Sequence, residues 1–154
     1  MDGGRRLLGA ALIGGLMWLT ACSEPWPEQG IAPDHPAKLA IGEEIYSMHC
    51  AGCHGQRLEG QPDWRTRGPN GRLPAPPHDA SGHTWHHEDE LLIAIVRDGM
   101  VPPHAPEGYQ SDMPAYGQIL SEDEIRAVLA WIMSTWPEEI VAARREMLER
   151  RYGR

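Results

Sequence analysis

The clearest hydrophobic period in the chain begins at Ser121. The order Ser121-Glu122-Asp123-Glu124 opens a helix in capping-box form, a serine with a glutamate three positions on. Ile125, Val128, Leu129 and Ile132 then recur at helical spacing and predict one buried stripe. A second helix is predicted from Glu88 to Asp98, acidic at its start and stopped by Gly99. After Pro137, the pair Glu138-Glu139 and a terminal run of arginines predict a short helix matched to its own dipole. Ile140, Met147, Leu148 and Tyr152 fall near one face of it, which leaves packing on the domain, packing on a partner and full solvation all open. The opposite end of the chain has a different pattern. Leu7 to Ala21 is an uncharged, largely apolar run of 15 residues preceded by Arg5 and Arg6. It is shorter than the roughly 20 residues that a spanning helix needs. Gly9, Gly14 and Gly15 weaken it as a buried helix, and its layout is that of a secretory signal. Residues 22–36 show little hydrophobic pattern and hold Pro25, Pro27, Gly30, Pro33 and Pro36, the composition of an extended tether.

Composition narrows the function classes. With 14 basic against 22 acidic residues the 154-residue chain carries a formal charge of −8, which argues against nucleic acid as a partner. Gly 17 and Pro 14 imply long loops, and three cysteines are too few for a disulfide scaffold. There is no Phe, so a core made only from these side chains would be thin unless something else fills it.

Cys50-Ala51-Gly52-Cys53-His54 is a C-x-x-C-H, the attachment signature of c-type haem. Two thiols three positions apart on a helical turn can bond both vinyl groups of one haem, and the next residue offers its imidazole to the iron. Export and this motif support each other, because the covalent attachment is made after export. A thioredoxin-like redox pair would need a βαβ context that the flanks lack. A zinc site would need a second pair of ligands at short spacing.

Further residues carry a resemblance to the class I cytochromes c. Gly42 and Tyr46 stand eight and four residues before Cys50, Gly55 follows His54, and Met113-Pro114 precedes the helix that holds Val128 and Trp131. The resemblance spans residues 37–136 and implies an all-α fold, three to four helices around one covalently bound haem c. It implies attachment through Cys50 and Cys53, His54 and Met113 as the two iron ligands, and a close crossing of Val128 and Trp131 over Gly42. Leu19-Thr20-Ala21-Cys22 resembles a bacterial lipobox, which implies removal of residues 1–21 and lipid on Cys22. The expected organisation is a signal over 1–21, a tether over 22–36, a haem domain over 37–136 and a charged helical tail over 137–154.

Other features refine that expectation. Met100, after Gly99 and before Pro102-Pro103, is the second candidate for the sixth ligand. Pro62, Pro69 and Pro74 are candidates for the carbonyl that orients His54. Arg65, Arg67, Arg72 and Trp85 are candidates to bind the haem propionates. His78, His83, His86 and His87 cluster before the Glu88 helix, where hydrogen bonding or a copper or zinc site are the alternatives. Residues 37–136 hold 7 basic and 14 acidic groups, so redox donor and acceptor proteins with a basic docking patch are expected. The function expected is electron transfer without substrate turnover, by a protein lipid-anchored in the bacterial cell envelope, as a carrier or as the cytochrome subunit of a respiratory oxidoreductase. A five-coordinate haem enzyme or gas sensor is the alternative.

Overall fold

The computed structural model describes residues 30–153; Cys22, the apolar run 7–21 and the tether as far as residue 29 lie outside the described residues. The described residues form four long helices and no strand. Helix α1 spans Pro36–Ile45, with proline in its first turn where a missing N–H costs nothing. It runs on through a π-helical turn at Tyr46–Cys50 and a last α turn at Ala51–His54. Helices α2 (Asp89–Asp98), α3 (Glu122–Ser134) and α4 (Glu138–Tyr152) follow. The all-α cytochrome c architecture expected from the sequence is the one observed.

Two of the three helices predicted in the sequence, α2 and α3, form for the reasons given. Ser121 Oγ accepts from Glu124 N, and a Glu124 carboxylate oxygen accepts from Ser121 N at 2.8 Å, which closes the capping box at the start of α3. Ile125, Val128, Leu129 and Ile132 are all buried. Glu88 is the residue before α2, and Gly99, with φ of +82°, ends it in a conformation that favours glycine.

Among the described residues, helices α1 and α3 make the most extensive contact. Gly42 makes it possible. A Cβ at Gly42 would overlap the Ala127 carbonyl and lie 2.8 Å from Trp131 Cβ. The Ala127 backbone and Trp131 lie nearest the glycine, and Val128, the other residue of the expected pair, is buried in the core beside them. Tyr46 stacks at a tilt on Trp131, with ring centroids 4.8 Å apart. The core joins Ile45, Tyr46, Leu92, Ile93, Leu120 and the α3 stripe.

Both ends of the described chain are fixed to this body. Residues 30–36 were expected to belong to the tether, yet Ile31 packs against the core and its N–H donates to Asp89 Oδ2 at 2.9 Å. The Gly30 carbonyl accepts from buried Arg126. The helical body therefore reaches back to Gly30. Of the three alternatives for the C-terminal helix, packing on the domain is the one observed, and its anchor is a charged residue. Arg144 is buried and donates to Trp85 O at 3.1 Å, to His87 O, and to Asp89 Oδ1 at 2.5 Å. Ile140 packs against the core, Met147 and Leu148 are half-buried, and Tyr152 is exposed. Asp89 thus ties the N-terminal segment and α4 together through its two carboxylate oxygens.

Candidate functional site

The C-x-x-C-H stretch occupies the end of the first helical segment, where the backbone changes from α to π and back. Such π turns are frequent at functional sites because they re-aim side chains without ending the helix. Gly55, with φ of +83°, stops the segment right after His54, and Tyr46 Oη fixes the stop by donating to Gly55 O at 2.7 Å. Cys50 is half-buried, Cys53 is exposed, and both are free thiols. The Cys50 thiol is pushed up to about 11, first by burial and then by its neighbour Cys53.

His54 is buried, and its Nδ1 lies 2.8 Å from Pro76 O. A carbonyl only accepts, so the proton sits on Nδ1 and Nε2 carries the free lone pair. Burial lowers the His54 pKa, with the Pro76 hydrogen bond acting in the opposite sense. A neutral imidazole with one nitrogen tied back is the form that binds a metal. None of Pro62, Pro69 and Pro74 supplies this carbonyl. Pro76 does, because the chain returns past Gly60 and Gly82, where a Cβ at either would overlap the backbone of Pro76 or Pro77. Gly60 N donates to His54 O at 2.7 Å and Gln61 N to Ala75 O at 2.9 Å, which closes the returning loop.

The four clustered histidines are used mainly for aromatic packing. His78 stacks on His54 at 4.0 Å between centroids and 24° between planes. His83 stacks on Trp64, His86 on Trp85, and His87 meets His83 edge-on. Among the described residues no group of three or more His, Cys, Asp or Glu side chains is gathered to hold a metal ion.

Both methionine candidates line one cavity of about 390 Å³, together with Arg72, Tyr109, Ser111 and Ala115. Ser111 Oγ accepts from Met113 N at 3.0 Å. Tyr116, three residues on, ties this loop to the attachment turn: its Oη donates to His49 O at 2.7 Å and its N–H to Val96 O at 3.0 Å. Of the four propionate candidates, Arg72 lines the cavity and pairs with Asp112, while Arg67 donates to Gly71 O and lies 5.5 Å from the Tyr109 ring. Arg65 lies over Trp64. Trp85 keeps its indole N–H buried without a partner.

The cytochrome c family matches residues 39–136, well over half of the chain. The chain belongs to the cytochrome c family. Comparison with curated proteins and with solved structures gives no match. Cytochromes c carry haem c covalently on cysteine, and Cys50 and Cys53 have the family's spacing. Haem-based electron transfer is the function that membership establishes, and family members are electron carriers in general. Cytochrome c domains are typically exported, and among the described residues no helix is long and apolar enough to cross a membrane. The residues present fit the cofactor. One imidazole is held neutral with a free nitrogen, two free thiols stand beside it, two thioethers line a cavity, and one buried indole N–H lacks an acceptor.

Sequence reasoning missed Pro76, Tyr116 and Arg144, and it singled out His78 without foreseeing its stack on His54. Pro76 and His78 act through a backbone carbonyl and a ring face brought in by distant chain, and Tyr116 through a distant carbonyl, for which no local pattern exists. A buried arginine in a charged run likewise has no signature until its carbonyl partners are known.

Proposed function

We propose that this cytochrome c carries one haem, attached through Cys50 and Cys53, with His54 and Met113 as iron ligands, and transfers single electrons at the bacterial cell envelope. The observation that carries the reading is the Nδ1 hydrogen bond of His54 to Pro76 O, which leaves Nε2 as the coordinating atom. When bound, the haem supplies an iron that accepts one electron and gives it up again. The protein's part is to hold that iron six-coordinate, so that neither ligand moves and no small molecule enters. Met113 is preferred to Met100 because its N–H is tied to Ser111, Pro114 follows it, and Tyr116 holds its loop to the attachment turn. Arg72 and Trp85 are the proposed propionate partners.

Residues 1–21 act as an export signal, Cys22 carries the lipid, and the tether is the short stretch from there to residue 29. Residues 30–136 form the haem domain, with 137–154 as its docked C-terminal extension. A domain so held exchanges electrons with partners at the membrane surface, as a carrier or as the cytochrome subunit of an oxidoreductase. The partners expected present a basic patch to this acidic domain.

Replacement of each methionine tests the ligand assignment. Met113→Ala is expected to leave the haem attached and to abolish the far-red Met–iron band of the oxidised protein, while Met100→Ala keeps it. Loss of the band in Met100→Ala instead would transfer the role to Met100.

A further inference from the structure

We propose that His78 fixes the plane of the His54 imidazole and is thereby a positioning residue for electron transfer; the inference rests on His54 being the iron's ligand. One hydrogen bond does not fix a ring. The bond from Nδ1 to Pro76 O sets the direction of one edge of His54, but the ring remains free to tilt about that line. The face contact with His78, 4.0 Å and 24°, removes this freedom. Both contacts come from one short turn, since Pro76 and His78 are two residues apart.

His78 is itself held at several points. Its Nδ1 lies 2.8 Å from Thr84 Oγ1, its backbone N–H donates to Leu58 O at 2.8 Å, and its carbonyl accepts from Trp136 Nε1 at 2.8 Å. Tyr46 meets its ring edge-on at 6.4 Å. Trp136 lies just beyond α3 and Tyr46 opens the π turn, so the two ends of the α1–α3 pair hold the turn that carries His78. Gly60 and Gly82 let Pro77 pass between them, which sets the height of the turn over His54. The chain spends four interactions on one half-buried histidine. Its only neighbour with a chemical task is His54.

The plane of an axial imidazole decides which iron d orbital its π system overlaps, and hence how unpaired spin spreads over the porphyrin in the oxidised state. The readout follows from that. The hyperfine-shifted haem-methyl resonances of the oxidised, haem-loaded protein are recorded by proton NMR for the wild type, His78→Phe, His78→Leu and Thr84→Val. His78→Phe keeps a flat ring and is expected to preserve the order of the methyl resonances. His78→Leu is expected to change their order or spread, with the covalent-haem absorption bands intact. A wild-type pattern in His78→Leu overturns the inference. Should His78→Leu fail to fold, Thr84→Val decides: a displaced pattern is expected once the ring loses its anchor, and an unmoved one overturns the inference. A wild type without histidine-ligated haem would overturn the proposed function as well; intact ligation with an unmoved pattern overturns this inference alone.

Discussion

Gly42 and Pro76 mark the two extremes of what single residues disclose. Gly42 is legible through the family resemblance: its spacing from Tyr46 and Cys50 matches the family's first helix, and the resemblance implies a close crossing there. The structure places Ala127 O and Trp131 where a methyl would stand. Gly42→Ala is accordingly expected to destabilise the haem-loaded protein by about 1–3 kcal/mol, the usual range for forcing a packed interface apart. A guanidinium midpoint unchanged from wild type would contradict the crossing. Pro76 is not legible in the same way. Its carbonyl reaches His54 only after the chain has folded back through Gly60, Gln61 and Ala75, a path without hydrophobic period. For the same reason Cys50, Cys53 and His54 were readable as a unit, whereas His78, stacked on one of them, was not. The two methionines are an intermediate case: the sequence ranks Met113 above Met100, and the structure brings both to one cavity.

At the scale of elements, α3 was readable to its first residue because its capping box and its stripe are both local signals. Ser121→Ala is expected to cost about 1 kcal/mol through the lost cap, measured as a fall in urea midpoint. The box also sets a pH dependence. Glu124 is held below its ordinary value first by the Ser121 side chain and then by the Ser121 backbone, and Glu122 by its hydrogen bond to Arg126. Lowered carboxyl values mean that this stabilisation is complete above the ordinary value of 4.5 and is lost as pH falls through the lowered ones. The urea midpoint should therefore fall with acidification, and Ser121→Ala should flatten part of that slope. Helix α4 presents the opposite lesson. Its existence was legible from proline, acidic start and basic end, but its anchor was not, because Arg144 sits in a run of arginines. Arg144→Ala leaves two carbonyls and Asp89 without their partner. The expected loss is about 2–4 kcal/mol, below that of a wholly buried pair since Asp89 retains some solvent. A loss under about 0.5 kcal/mol, the scale of ordinary surface changes, would mean that α4 is not held by this residue.

For the whole molecule, charge and core composition carry the predictions. An acidic haem domain with 7 basic and 14 acidic groups over residues 37–136 is expected to associate with a basic partner more slowly as salt rises. Electron-transfer rates that ignore ionic strength would contradict that. A chain without Phe has a core of aliphatic side chains with Tyr46 and Trp136, gathered mainly where α1, α2 and α3 meet. The central claim, however, is that this family member holds its iron six-coordinate for electron transfer and not open for chemistry. The most direct test is the oxidised and reduced absorption spectrum of protein made with the haem-attachment machinery, repeated with carbon monoxide on the reduced form. The account predicts a covalent haem spectrum, a far-red Met–iron band and no response to carbon monoxide. Covalent haem that binds carbon monoxide readily would contradict it and turn the site toward catalysis or sensing.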